Sequence, residues 1–162
     1  TRELAPDARF LFLGTGVPRK QVLEDLSLAP GSELVEVVQR YDTSELPALL
    51  AGATVGVYPS YTEGFGFGAL ELLAAGLPTV AYDIPGPRDI LSGLSHGSLV
   101  QVGDAETLAA RAAELLTLDP ATYTLRSEAC SERARTFRWR GIAQSTAAAY
   151  EHALGTLRGI TA

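Results

Sequence analysis

The sequence is poor in sulfur-containing residues and in histidine. Its 162 residues include one cysteine, two histidines and no methionine. One thiol forms neither an intrachain disulfide nor a cysteine-rich metal site, so Cys130 is interpreted as a structural residue of a helix. His96 lies in a turn rich in serine and glycine and His152 on a terminal helix, without the spacing of metal ligands, so no metal site is expected. Because methionine is absent, Thr1 is not expected to be a translation start, and the chain is interpreted as a fragment or a processed product.

Long apolar runs are also absent. No stretch approaches the ~20 apolar residues that a membrane-spanning helix needs, and no charged and then apolar signal peptide opens the chain. We therefore expect a cytoplasmic location. The sequence contains no basic amphipathic helix, so direct membrane binding by this chain is not expected.

Positive charge is scarce and scattered. The chain has 13 lysines and arginines against 19 acids, for a formal net charge of -6. Because the arginines are not clustered on one element, nucleic-acid binding is not expected. The composition, 46% hydrophobic and 20% charged, is that of a soluble globular domain. The length predicts a single domain over residues 1–162.

Strand-like and helix-like patterns alternate along the chain. Short apolar runs predict the strands Arg9–Leu13, Glu33–Val38, Ala53–Tyr58, Thr79–Tyr82 and Ser98–Val102. Helical spacing and capping residues predict helices over Val17–Leu26, from a cap at Thr43-Ser44-Glu45 to Leu50, and over Ala69–Ala75. From Asp104 onward the pattern is helical, with breaks near Asp119-Pro120 and around Arg138–Gly141 and a C-terminal helix over 139–157. This alternation predicts an α/β fold, a Rossmann-like parallel sheet with helices on both faces.

The segment from Glu63 to Glu71, EGFGFGALE, follows the third predicted strand and leads into a predicted helix. In such sheets ligands bind beyond the carboxyl ends of the strands. Gly64, Gly66 and Gly68 let the backbone approach a ligand closely, and the first amides of the helix favour a phosphate. We expect Glu71 in the first turn of the helix, where its carboxylate can accept hydrogen bonds from two adjacent ribose hydroxyls. The segment therefore predicts a site for a sugar nucleotide.

Each of these features also has an alternative explanation, either structural or from another class of enzyme. An acid in the first turn of a helix stabilises the helix dipole by ~0.3–1 kcal/mol without any ligand. Glycine turns such as Gly14-x-Gly16 often serve packing alone. A pair of acids is also compatible with a glycosidase, although hydrolysis does not need a glycine-rich loop at a helix start.

The pattern around the segment extends well beyond the two acids. It reads Pro59-Ser60-x-x-Glu63-Gly64-Phe65-Gly66-x-x-x-x-Glu71-x-x-Ala74-x-Gly76-x-Pro78, with seven residues between the acids. This pattern closely resembles the Glu-x7-Glu signature of the group 1 (family 4) retaining glycosyltransferases. The similarity continues in Ser44–Leu50, Gly86–Ile90, Gly97–Val100 and Gly103–Ala109, and it covers nearly the whole chain.

The resemblance implies a GT-B architecture, in which two Rossmann-like domains face each other and the C-terminal one binds the nucleotide-sugar donor. This chain resembles that C-terminal domain. The implied activity is transfer of a hexosyl group, with retention and without a metal or cofactor, from a nucleoside-diphosphate sugar to a glycan, lipid or other acceptor. The implied partners are the nucleotide sugar and an N-terminal domain, and the whole protein is compatible with peripheral binding at the inner membrane face. The N-terminal domain and the first strand and helix of the donor domain, with its diphosphate-binding Arg and Lys, are expected upstream of Thr1, so the isolated chain should not turn over.

The resemblance also assigns roles to individual residues. Glu63 is the implied catalytic residue, against the donor sugar, and Glu71 is expected to bind the ribose. Residues expected near the sugar and diphosphate are Gly64, Phe65, Gly66, Phe67 and Gly68. Residues expected along the nucleobase are Gln39, Arg40 and Tyr41. Arg19 and Lys20 follow the Gly14-x-Gly16 turn and do not occupy the motif position of the diphosphate clamp, so they are interpreted as surface charges.

Two alternative functions remain at this point. A noncatalytic nucleotide-binding module would use the same glycine-rich loop. A sugar-nucleotide epimerase or a phosphorylase would share the two-domain architecture. The Glu-Gly-Phe-Gly context favours the transferase.

Overall fold

The computed structural model describes residue 5, residues 7–94 and residues 98–160, with side chains described through residue 155. His96 lies outside the described residues. The strands are β1 (Phe10–Leu13), β2 (Val35–Val38), β3 (Gly56–Tyr58), β4 (Thr79–Tyr82) and β5 (Leu99–Val100). The helices are α1 (Arg19–Asp25), α2 (Leu46–Leu50), α3 (Phe67–Ala74), α4 (Pro87–Leu91), α5 (Ala105–Leu116), α6 (Pro120–Arg135) and α7 (Trp139–Ile160).

Most predicted elements are present with shifted ends. β4 has the predicted bounds, whereas β3 begins three residues later than Ala53. The predicted break at Asp119-Pro120 is confirmed, because Asp119 Oδ1 accepts hydrogen bonds from the amides of Ala121 and Thr122, both at 3.0 Å. Pro120 takes the first position of α6, where no amide donor is needed.

The start of α2 differs from the prediction. A 3-10 turn over Thr43–Glu45 precedes the helix. The amide of Asp42 donates to Glu45 Oε2 at 2.8 Å, an interaction typical of a capping box that begins at Asp42. The prediction that the hydroxyls of Thr43 and Ser44 cap this helix is therefore wrong, because the chain turns one residue earlier.

All strand pairs are parallel, as the alternation of strands and helices predicts. Hydrogen bonds join β1 to β2 and, separately, β3 to β4 to β5 in that order. No ladder within the described ranges joins the two sets. An apolar cluster connects them, since Leu46 and Leu50 of α2 pack with Leu13 at the end of β1 and with Leu72 of α3.

The main core surrounds β4, all four residues of which are buried. Side chains alternate between the two faces of a strand, so Ala81 points to one side and Val80 and Tyr82 to the other. On the first side Ala81 packs with α3, α4 and α6, and on the second side Val80 and Tyr82 pack with α5. Helices therefore cover both faces of this sheet, which confirms the predicted fold class.

Cys130 lies inside the first of these clusters, on α6. Its side chain is buried, and burial raises the pKa of its thiol to about 11. A thiol with this pKa is protonated at neutral pH and reacts slowly. The structural role predicted for Cys130 is confirmed.

α7 differs from the other helices in its surroundings. Each of its described side chains, residues 139–155, is exposed, including Trp139 and Tyr150. Across the described part of the chain, no helix combines the length and the apolar character needed to cross a bilayer.

Candidate functional site

The glycine loop, residues 63–68, follows β3 in the chain and leads into α3. Tyr58 ends β3, and α3 begins at Phe67 inside the loop. The loop therefore lies beyond the carboxyl end of a parallel strand, where α/β sheets bind their ligands.

The backbone amides of the loop have no hydrogen-bond acceptor among the residues that the structure describes. None of the five amides of residues 64–68 donates a hydrogen bond to any described atom. The first amides of a helix have no partner within the helix, and Gly66, the N-cap of α3, has a left-handed backbone with φ of 89°. Consecutive free amides next to a left-handed residue form a concave site that favours an anion.

Glu63, at the start of the loop, is half-buried and held by two hydroxyl groups. The hydroxyl of Tyr58 donates to Glu63 Oε1 at 2.6 Å, and the hydroxyl of Ser60 donates to the same oxygen at 2.8 Å. No hydrogen bond from the described residues reaches Oε2. Glu63 thus presents one fixed oxygen to the protein and one available oxygen to a ligand.

Glu71 lies in the second turn of α3, not in the first. The helix begins at Phe67 instead of Ala69, because the left-handed Gly66 caps it directly, and Glu71 becomes its fifth residue. The prediction of a first-turn position is wrong. The helix-dipole explanation for this acid loses its support, since the dipole effect falls off within the first turn. Glu71 is half-buried without a described hydrogen bond to its carboxylate, and desolvation by burial raises its pKa.

Two tyrosines lie close to Glu71. Burial first, and then the charge of Glu71, raises the pKa of Tyr41. Burial, the hydrogen bond to Glu63, and the charges of Glu63 and Glu71 together raise the pKa of Tyr58 well above its usual value. The tertiary structure packs Tyr41 against the same apolar cluster as Leu72, the residue after Glu71, although thirty positions separate Tyr41 from Glu71 in the sequence. Arg40 is exposed and forms no ion pair among the described residues.

The segment of Tyr41 also adjoins the Gly14-x-Gly16 turn. Gln39 Nε2 donates to the carbonyl oxygen of Gly16 at 3.0 Å, and a Cβ atom on Gly14 would lie 3.6 Å from Tyr41 Cε1. These contacts give the turn a packing role, in line with its structural interpretation.

The three glycines of the loop have different reasons to lack a side chain. A Cβ atom on Gly66 would approach Pro87 Cδ to 3.0 Å, in addition to the cost of its positive φ. On Gly68 it would lie 2.7 Å from Tyr58 Cε2. On Gly64 it would meet nothing within 4 Å. A side chain at 66 or 68 would therefore force neighbouring atoms to move, whereas a side chain at 64 would meet no described atom within 4 Å.

The two phenylalanines of the loop point to different surroundings. Phe65 is half-buried, with its ring centroid 4.8 Å from that of Phe67 and 6.0 Å from that of Phe137, and it packs against the main core. Phe67 is 56% exposed at the start of α3. The Phe65 side chain therefore serves packing, whereas that of Phe67 is open to a ligand.

This geometry can be compared with known proteins. Residues 1–137 match the family model described as glycosyl transferases group 1. The chain belongs to this family. Its fold is similar to that of sucrose-phosphate synthase from Thermosynechococcus elongatus, with a TM-score of 0.73 and 27% identity over 90% of this chain and 38% of that one. The GT-B fold class expected from the sequence is therefore confirmed.

Named relatives of this glycosyltransferase chain carry different activities. It is 33% identical to a D-inositol 3-phosphate glycosyltransferase from Thermobispora bispora, over 87% of this chain and 33% of that protein. It is 31% identical to a glycogen synthase from Mycobacterium tuberculosis, over 92% of this chain and 36% of that protein. The chain thus spans about a third of the length of these relatives.

The basic residues near the Gly14-x-Gly16 turn of this group 1 chain contact residues outside the glycine loop. Arg19 Nη1 donates to the carbonyl oxygen of Pro30 at 2.9 Å, and Lys20 Nζ lies 3.8 Å from Glu24 Oε1. In the part of the chain that the structure describes, no lysine or arginine pairs with residues 63–71, and no three His, Cys, Asp or Glu side chains are arranged to hold a metal ion.

Sequence reasoning missed two residues of the site. The sequence pattern predicts only a strand position for Tyr58, and it places Ser60 in the family pattern without a role. The available signal was their distance along the chain from Glu63, five and three residues, but the turn that brings their hydroxyls to one oxygen is visible only in three dimensions.

Proposed function

We propose that this chain is the donor-binding part of a retaining glycosyltransferase, which transfers a hexosyl group from a nucleoside-diphosphate sugar to a glycan, lipid or other acceptor. The single observation that carries the proposal is the run of five free amides at residues 64–68, with a carboxylate at each end of the segment. An anionic diphosphate flanked by two hydroxyl-bearing groups, the sugar and the ribose, matches this order of chemical groups.

The diphosphate is assigned to the glycine loop. Free amides at a helix start bind phosphate without a basic side chain. Gly64 leaves open space beside these amides, so that a phosphate oxygen can approach the backbone. No described cation contacts the loop, and a clamp of Arg and Lys from elsewhere in the whole protein is part of the proposal.

The nucleoside is assigned to Glu71 and Tyr41. The carboxylate of Glu71 has both oxygens available, and two adjacent ribose hydroxyls can donate to them. Tyr41 lies close enough for its pKa to respond to the charge of Glu71. The segment of Gln39, Arg40 and Tyr41 is therefore the proposed place of the nucleobase.

The sugar is assigned to Glu63. In the transition state of glycosyl transfer the sugar ring carries positive charge and the diphosphate departs with negative charge. Glu63 Oε2 can orient a sugar hydroxyl or stabilise the ring charge, and the loop amides can stabilise the departing diphosphate. Neither role uses a metal, and metal independence belongs to this proposal.

The rest of the protein is proposed to supply the acceptor site. The edges of β1 and β3 are unpaired within the described ranges, although α2 packs with Leu13 at the end of β1 and with Leu72 of α3. An unpaired strand edge is a template for pairing with another segment, which supports a further strand of the donor domain from outside this chain. An N-terminal domain, a cytoplasmic location and the absence of direct nucleic-acid or membrane binding complete the proposal.

Donor binding and transfer test the function separately. Calorimetry of the chain with UDP, GDP and ADP should show weak binding of at least one nucleotide, since the loop amides are free and no described cation contacts the loop. The whole protein, assayed with the sugar forms of the same nucleotides, should release nucleoside diphosphate and give a product of retained anomeric configuration by NMR. An inverted product would contradict retention. Binding by the chain combined with no turnover of any donor by the whole protein would favour a noncatalytic nucleotide-binding module instead.

A further inference from the structure

The orientation of Glu63 is set by the strand that precedes it. Both hydroxyl donors, from Tyr58 and Ser60, end on the same oxygen, Oε1. The Ser60 hydroxyl has one proton and also lies 3.2 Å from the carbonyl oxygen of Thr62, but its 2.8 Å contact with Oε1 is the shorter. The two hydroxyl groups thus lie on the two lone pairs of Oε1 and leave Oε2 as the acceptor for a substrate. Hydrogen bonds to a charged acceptor are shorter and stronger than neutral ones, in agreement with the 2.6 Å distance to Tyr58.

Tyr58 is itself held in place. It is the last residue of β3, and its ring lies against Gly68, where an added Cβ atom would be 2.7 Å from Tyr58 Cε2. Its neighbours at the site are the two acids, and their charges together with burial keep the phenol protonated. The hydroxyl therefore remains a donor, and its position is fixed by the sheet and by the start of α3.

We propose that Tyr58 is a positioning residue for glycosyl transfer and that Ser60 is a second one. Together their hydrogen bonds to Oε1 direct Oε2 of Glu63 toward the donor sugar. The inference rests on the proposed function. It assigns no contact between Tyr58 and the donor, because the phenol acts through Glu63. Gly68 belongs to the same arrangement, since its missing side chain provides the space for the Tyr58 ring.

This role predicts a separation between catalysis and nucleotide binding. The hydroxyl of Tyr58 bonds to Glu63, whereas the nucleoside is assigned to Glu71, whose carboxylate receives no hydrogen bond from Tyr58. Removing the hydroxyl should disturb the sugar side of the site and leave the nucleotide side intact.

The test uses the whole protein with its sugar-nucleotide donor and the variant Tyr58→Phe, which keeps the ring against Gly68. We expect kcat to fall about tenfold or more, as for the loss of one hydrogen bond to a charged group. Affinity for the bare nucleoside diphosphate should stay within about twofold, because that ligand does not reach Glu63. Ser60→Ala should act in the same direction.

Two comparisons separate positioning from a structural effect. Tyr123→Phe removes another phenol hydroxyl, which donates to the carbonyl oxygen of Thr54 at a distance of 3.1 Å. This hydrogen bond does not involve the loop, so the change should leave kcat unchanged. In a Glu63→Gln protein, Tyr58→Phe should cause little further loss, because the residue through which it acts is already altered. An equally large loss in that background would overturn the inference, as would an unchanged kcat in Tyr58→Phe alone.

Failure of the inference differs from failure of the proposed function. An active wild-type protein with an unchanged kcat in the Tyr58→Phe variant overturns the inference only. A wild-type protein that transfers from no donor in the panel overturns the proposed function and, with it, the catalytic part of the inference. In either case the 13C carboxylate resonance of Glu63, assigned by its loss in Glu63→Gln, should shift in Tyr58→Phe and not in Tyr123→Phe. An unshifted resonance would contradict the positioning itself.

Discussion

The two acids that bound the glycine loop have opposite surroundings. Glu63 is anchored through Oε1 by Tyr58 and Ser60. Glu71, on the second turn of α3, receives no described hydrogen bond, and desolvation raises its pKa. A carboxylate that must act on a reacting group benefits from fixed orientation, because rigid placement lowers the cost of reaching the transition state. A carboxylate that receives a substrate hydroxyl benefits from free acceptors, because the ligand then supplies the missing hydrogen bonds.

The three glycines between the two acids also have different roles. Gly68 makes room for the tyrosine that anchors Glu63, and Gly66 provides the left-handed cap from which α3 starts. At Gly64, unlike the other two, a side chain would meet no described atom within 4 Å. The first two glycines build the loop, and the third leaves its amides accessible.

The largest expected effect is on turnover by Glu63→Gln in the whole protein. Loss of a preorganised charge at the transition state typically lowers kcat by about a hundredfold to a thousandfold. Affinity for the bare nucleotide should remain, since that ligand lacks the hexosyl group assigned to Glu63. Steady-state kinetics together with nucleotide calorimetry check both quantities, and a loss of nucleotide affinity in this variant would reverse the roles assigned to the two acids.

A smaller effect is expected on nucleotide binding by Glu71→Gln. The amide replaces one acceptor oxygen by a donor, and the loss of a charge-assisted hydrogen bond costs about 1.5–3 kcal/mol, or roughly ten- to a hundredfold in affinity. Calorimetry with the preferred nucleotide measures the change. Equal affinities of Glu71→Gln and wild type would mean that this acid does not bind the ribose.

Smaller again is the expected difference between Gly68→Ala and Gly64→Ala in thermal unfolding. A methyl group at 68 must displace the Tyr58 ring, and overpacking of this kind costs about 1–3 kcal/mol, partly offset by the higher helix propensity of alanine. The Gly64→Ala protein should unfold at the wild-type temperature or slightly higher, and bind donor more weakly. Equal destabilisation by both changes would show that the loop is uniformly packed.

The smallest effect concerns pH and stability. The folded-state pKa of Glu71 is raised above its ordinary value of 4.5, so its contribution to stability is complete below that value and is lost as pH rises through the folded-state pKa. Glu71→Gln should therefore unfold at a slightly higher temperature than wild type at neutral pH, and the difference should vanish in acid. Solvent screening keeps it small. Thermal unfolding of both proteins from pH 4 to pH 8 is the measurement, and a variant that is less stable at neutral pH would contradict the desolvation of Glu71.

Local pattern was sufficient wherever one segment carried the information. The run Thr79–Tyr82, apolar apart from Thr79, predicts a strand with its observed bounds, because a strand buried on both faces is rich in apolar and β-branched residues. The buried hydroxyl of Thr79 donates to the carbonyl oxygen of Leu77. The spacing of the acids around the glycines likewise predicts the candidate site, which stays a prediction. The start of α3 was misplaced, because three alternating glycines resemble a loop and only the left-handed Gly66 shows where the helix begins.

The sequence by itself determined the α/β class, the group 1 family pattern and the place of the glycine loop after a strand. Only the tertiary structure decided how the acids differ. Hydrogen bonds from Tyr58 and Ser60 to one oxygen of Glu63 depend on the turn of the loop, and the approach of Tyr41 to Glu71 joins segments that are distant along the chain. Periodicity reports which face of an element is buried, whereas the partner of a single polar atom depends on the packing of several elements at once.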